Sequence, residues 1–219
     1  MKKPDMKIIE KTINNLKRNN MLSFYCETKE EALAKVMEFI NEGDTVTNGG
    51  SETLKQVGVI DAVKNGNFNY VDRSAAETRE EAEELMREAY FADVYLTSSN
   101  AVTQHGELYN VDGNSNRVSA ILYGPKSVVV VCGFNKIVKN FDEAVYRVKT
   151  KAAPPNTKRL HTGAYCEANG ECLSCGSDGS FMCDGCRGDG RICCNYVVCA
   201  QQRHKERIKV IIVGEELGY

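Results

Sequence analysis

Eight of the ten cysteines in this 219-residue chain lie between Cys166 and Cys199, and two pairs, Cys172-Leu-Ser-Cys175 and Cys183-Asp-Gly-Cys186, share the CxxC spacing. Two thiolates so placed on a turn can reach one ion, and two such pairs make a four-thiolate site for zinc or an iron–sulfur cluster. Two sets of four compete: Cys172, Cys175, Cys183 and Cys186, or Cys166, Cys172, Cys175 and Cys193. Dithiol redox chemistry is the alternative. A thioredoxin-like CxxC, however, sits between a strand and a helix, which this Gly-, Ser- and Asp-rich stretch does not offer.

The richest polar constellation runs from Thr97 to Arg117. It begins where a strand is expected to end, the usual place for ligand groups in an open α/β sheet. Asp112 has the chemistry of a general base and Arg117 that of a carboxylate or phosphate clamp. Asn100, Thr103, Asn110, Gly113 and Asn116 supply small polar or backbone contacts. The competing reading makes Asp112-Gly113 a hairpin turn with Arg117 paired internally to Asp112. Lys136, just past an apolar run, reads as a ligand-binding cation or as a surface lysine.

A second candidate is Asn48-Gly49-Gly50-Ser51-Glu52-Thr53, where a strand meets a helix. Free backbone N–H groups there favour an anion, and the glycines let it approach. The turn fits neither the Walker pattern nor the dinucleotide fingerprint, and no flavin or nicotinamide motif occurs elsewhere. Its simpler reading is a tight turn with Ser51 as helix cap.

The elements that must carry these residues alternate. Met6, Ile9, Ile13 and Leu16 line one helix face, and Leu22 to Tyr25 reads as a strand. Thr28 with Glu31 and Thr78 with Glu81 are capping-box patterns opening further helices. Strands are expected at Phe68 to Val71 and Ala92 to Ser98, with a hairpin around Gln104-His105-Gly106. The apolar runs Ser127 to Cys132 and Arg207 to Val213 read as strands buried on both faces. Helical character from Asp142 is expected to stop at Pro154-Pro155. The pattern predicts one α/β domain over residues 1–219, with a mostly parallel central sheet between helices and a cysteine-rich excursion at about 161–199. That excursion has too few large apolar groups to hold itself without a metal or docking.

With 28 basic and 30 acidic residues the formal charge is -2, so no overall field draws the chain to nucleic acid or an anionic membrane. The start of the chain lacks a secretory pattern, and no apolar run reaches the length of a spanning helix. A cytoplasmic setting follows, in which thiols serve as ligands more often than as disulfides.

Ala92-Asp-Val-Tyr-Leu-Thr-Ser-Ser-Asn-Ala-Val-Thr103, Asn110-Val-Asp-Gly113, Asn116-Arg-Val118, Tyr123-Gly-Pro125 and Gly133-Phe-Asn-Lys-Ile-Val138 resemble the LUD domain family of lactate-utilisation proteins. The likeness is to the C subunit of the bacterial L-lactate oxidation system. It implies a three-layer fold like that of ribose-5-phosphate isomerase, glucosamine-6-phosphate deaminase and CoA transferases, with the glycine turn and strand ends around a small anionic ligand. It also implies iron–sulfur partner subunits that carry electrons. The family's shorter cysteine pattern corresponds to Cys166, Cys172, Cys175 and Cys193; Gly179 to Cys186 is inserted here. Two other readings stand beside this one: a self-sufficient enzyme for a phosphorylated or CoA-linked substrate, and a metal-dependent interaction module.

Overall fold

A computed structural model describes residues 4–176 and 182–219; residues 1–3 and the Gly179-Ser-Phe181 part of the insertion lie outside it. Six strands form a wholly parallel sheet: β1 (Leu22–Cys26), β2 (Thr45–Asn48), β3 (Asn69–Val71), β4 (Val94–Thr97), β7 (Ser127–Gly133) and β10 (Ile208–Val213). Their order is β1-β10-β7-β4-β2-β3. The two apolar runs therefore sit side by side in the interior, as strands buried on both faces must.

Alternation along those two strands divides the core. Val128, Val130, Cys132, Ile208, Val210 and Ile212 pack with Ile9 and Leu16 of α1 (Met6–Arg18). Val129, Val131, Ile211 and Val213 face the other way, against Ala32 and Val36 of α2 (Lys29–Met37). Leu54 of α3 (Glu52–Val57) and Val59 and Val63 of α4 (Val59–Asn65) complete that layer. The result is an α/β fold with helices on both sides of a parallel sheet. Each cap does its expected work at the helix starts: Thr28 accepts the Glu31 N–H, and Thr78 and Glu81 form a complete capping box on α5 (Arg79–Glu88).

A second sheet, β8-β5-β6-β9, stands beside the first. The hairpin of β5 (Ala101–Thr103) and β6 (Leu108–Asp112) is antiparallel, β8 (Ile137–Val138) runs parallel to β5, and β9 (Asn195–Cys199) is antiparallel to β6. Strand β9 returns the chain from the cysteine segment. Three helices cover this sheet: α7 (Phe141–Arg147), α8 (Ala153–Leu160) and α9 (Tyr165–Asn169).

One expectation and one competing reading need correction. Pro154-Pro155 opens α8 instead of ending helical structure, because the first helical turn needs no N–H donor, and a π-helical turn at Val148–Ala152 links it to α7. After Asp112 the chain enters α6 (Asn116–Tyr123) rather than turning into another strand. Ser115 makes that turn at φ 65° while its N–H donates to Asp112 Oδ1 at 3.2 Å.

Candidate functional site

The ends of β2, β4 and β7 all open into one cavity of about 640 Å³. Its wall combines Gly50 to Thr53 after β2, Ser98 to Asn100 after β4 and Lys136 after β7, with Asp112, Gly113, Asn116 and Arg117 from the second sheet and α6. Asn156 and Arg159 of α8, Asp189 to Cys194 of the cysteine segment, and Gly218 and Tyr219 close it. The cavity has the size of a small-molecule site and lies at the carboxyl ends of parallel strands.

Arg117 fixes the floor. Its guanidinium donates to Ser98 O (3.2 Å), Asn110 Oδ1 (2.7 Å), Asn100 Oδ1 (3.1 Å) and Val111 O (2.9 Å), and Nε stands 3.5 Å from Asp112 Oδ2. That last approach is an ion pair without hydrogen-bond geometry, so Asp112 Oδ2 stays buried and unbonded among the described residues. One side chain thus ties the end of β4 to the end of β6. Glycine at 49 makes room for it: a Cβ there would stand 2.9 Å from Arg117 Cγ and 2.8 Å from the Tyr95 hydroxyl.

Lys136 is the only lysine among the described residues lining the cavity, and it is 4 % exposed. Nζ donates to Thr53 Oγ1 and Ser98 Oγ, each at 3.0 Å, and among the described residues no carboxylate lies within ion-pair distance. Burial pulls its pKa down from 10.5 to about 8; Cys132 opposes the fall, and the cations Arg147 and Arg117 add to it. Arg147, itself buried, donates to Asn135 O and Asn100 O and so braces the same strand-end loop.

The cysteine segment forms the far wall. Cys194 N–H donates to Asp112 O at 3.1 Å, and Ile192 lies against Gly113. Arg191 organises the segment, donating to the carbonyls of Cys193, Cys186 and Cys183 and to the Tyr196 hydroxyl at 2.7–2.9 Å. Behind this wall Cys166, Cys172, Cys186 and Cys193 line a second cavity of about 20 Å³. Burial, followed by the neighbouring thiols of Cys166 and Cys172, pushes the Cys193 pKa up to about 12. Cys175 and Cys183 do not face that space, so each CxxC pair is divided, one thiol in and one out. The donor set suits a soft metal by its chemistry. As they stand, no three His, Cys, Asp or Glu side chains among the described residues are gathered closely enough to hold an ion.

Residues 9–213 match the LUD domain family. The chain belongs to the LUD domain family. That family is associated with lactate utilisation. Among solved structures, the LUD chain is similar to a DUF162 family protein from Deinococcus radiodurans, with a TM-score of 0.54 and 14% identity over 95% of this chain and 98% of the other. It is also matched by eIF2B delta from Chaetomium thermophilum, at a TM-score of 0.37 and 19% identity over 64% of this chain and 55% of that one. No curated protein matches it.

Within the LUD chain, the residues expected at a site divide into those on the cavity and those behind it. Gly50, Ser51, Glu52, Thr53, Asn100, Asp112, Gly113, Asn116, Arg117, Lys136 and Cys193 line it. Asn48 is held behind it by the Tyr70 hydroxyl and by its own bond to Gly49 O, and Asn110 supports Arg117 from below. Thr103 is spent in the hairpin, bonded to Glu107. Ser51 is the cap of α3, accepting the Leu54 N–H at 3.2 Å, and Glu52 sits between Lys55 and Arg159. Ser98, Ser99, Arg73 and Arg159 complete the wall without having been singled out. The rule that ligand groups gather past strand ends points to the two serines and to Arg73, which follows β3.

Proposed function

We propose that this LUD chain is the ligand-binding subunit of an L-lactate or related hydroxy-acid oxidation system, taking a small anion in the 640 Å³ cavity while iron–sulfur partner subunits carry the electrons. The supporting observation is Lys136, a buried amine facing that cavity with two hydroxyls and, among the described residues, no carboxylate to balance it. A bound carboxylate supplies the missing counter-charge. Among the described side chains on the wall five are basic and three acidic, which favours the same sign of ligand. Partner subunits follow from the family association together with the absence of a flavin or nicotinamide motif. The setting is cytoplasmic on this reading; among the described residues no helix is long and apolar enough to cross a membrane.

Thermal shifts with L-lactate, pyruvate, inorganic phosphate and an acyl-CoA test the reading. A ligand at 100 times its dissociation constant adds about 2.7 kcal/mol. The hydroxy acid and oxo acid are expected to stabilise the chain, and the purified chain alone is expected not to oxidise lactate. Turnover without partners, or stabilisation by acyl-CoA alone, overturns it.

The cysteine wall carries a metal on this reading, zinc or iron–sulfur. Support comes from the donor set: Cys166, Cys172, Cys186 and Cys193 all line one small cavity of about 20 Å³, and they would have to draw closer together to share one ion. Once drawn together, Cys166, Cys172, Cys186 and Cys193 would suit a single zinc. Bound there, zinc closes the segment by tetrahedral coordination.

A further inference from the structure

We infer that Lys136 acts covalently on the cavity's ligand, its Nζ condensing with the carbonyl carbon of a small 2-oxo acid to form an imine. The inference rests on the cavity's being the anion site and adds the chemistry done there. Three observations carry it. The amine is the one primary amine among the described residues that line the cavity, and it stands in the short turn that follows a central strand. It is desolvated and faced by cations, Arg147 from α7 and Arg117 from α6, with the Cys132 thiol from β7 as the opposing group; this is the setting that enlarges a lysine's neutral, nucleophilic fraction. Its two hydrogen-bond partners are hydroxyls, Thr53 and Ser98 at 3.0 Å, which can pass protons and cannot lock the amine as an ammonium ion the way a carboxylate would.

The step balances without an oxidant or reductant. The Nζ lone pair forms the C–N bond, the carbonyl C–O bond breaks, and the oxygen leaves as water with the two amine hydrogens. Protonation of the imine nitrogen gives the iminium. Thr53 and Ser98 are placed to relay these protons. A lysine titrating near 8 offers roughly three hundredfold more neutral amine at neutral pH than an ordinary one at 10.5.

The full chain is incubated with pyruvate and sodium cyanoborohydride, which reduces an iminium to a stable secondary amine, and the product is read by intact mass and peptide mapping. One adduct per chain at Lys136 is expected, forming with a half-maximal rate near pH 8, slowed by L-lactate and absent in Lys136→Arg. Labelling spread evenly over surface lysines overturns the inference, and so does the absence of an adduct. If pyruvate and lactate still raise the melting temperature without an adduct, only the imine is lost and the anion site stands. If neither stabilises the chain and no adduct forms, both fall. Should Lys136→Arg fail to fold, protection of Lys136 by lactate in the unaltered chain remains the deciding readout.

Discussion

Arg117 lies across the backbone of Gly49, so close that a single added methyl would stand 2.9 Å from its Cγ. The glycine turn and the arginine clamp are therefore one structure. Gly49→Ala is expected to displace the guanidinium and cost about 1 to 3 kcal/mol of stability, the usual cost of overpacking. Urea denaturation measures the loss, and anion-induced thermal shifts should weaken with it. An unchanged midpoint would show that the clamp does not depend on the turn.

Removing the clamp itself costs more. Arg117→Ala strands the buried Asp112 carboxylate, takes the arginine donor from Asn110 Oδ1 and Val111 O, and leaves Asn100 Oδ1 with the Val111 N–H alone; the ion-pair partners are only 14% and 10% exposed. A loss of about 3 to 5 kcal/mol is expected by chemical denaturation. Asp112→Asn should recover part of it in the double variant, since the stranded charge is gone.

Lys136 also sets a pH dependence with a definite sign. Its folded pKa lies below the unfolded 10.5, so between about 8 and 10.5 the unfolded chain binds more protons than the folded one. Stability attributable to this group therefore rises with pH across that window, by about 3 kcal/mol in all. Measured against Lys136→Met, the unaltered chain should gain steadily from pH 8 to 10.5. A constant difference between the two would mean that Lys136 keeps an ordinary pKa.

The thiols facing the small cavity should be separable from the others by metal analysis. Cys186→Ser and Cys193→Ser are expected to lose the bound ion, whereas Cys183→Ser and Cys194→Ser, both at exposed positions, should keep it. A colourless protein with one zinc is the expected outcome. Brown colour with acid-labile sulfide would instead assign a cluster.

Much of the scaffold was legible because it depends on local pattern. The apolar runs at Ser127 and Arg207 are buried on both faces, and Thr78 and Glu81 form their reciprocal cap. Elements whose stability is tertiary were not legible. Strand β9 has a mixed sequence and exists because β6 offers it an edge, and α6 starts from a serine at positive φ that no capping rule marks. At the candidate site, the strand-end rule points to Asn100 and Asp112, which line the cavity, whereas Lys136, equally readable as a surface lysine, is buried on its wall. The rule did not tell a wall residue from its support, because Asn110 and Thr103 differ from their neighbours only in which side of the sheet their partners occupy. The CxxC spacing suggested pairs acting together, yet the folded segment turns Cys172 and Cys186 inward without Cys175 and Cys183.

Strand β9 pairs with β6 over five residues, from Leu108↔Cys199 to Asp112↔Asn195, and the Cys194 N–H continues the ladder onto Asp112. The thiol cavity and the ligand cavity thus share a strand and a wall. If a species bound among those thiols shifts this register, it changes the affinity of the ligand chamber, and by thermodynamic reciprocity the chamber's occupant then changes affinity at the thiols by the same factor. The cysteine segment would then act as a gain control on the neighbouring site, read as a ligand dissociation constant that shifts when a chelator is added.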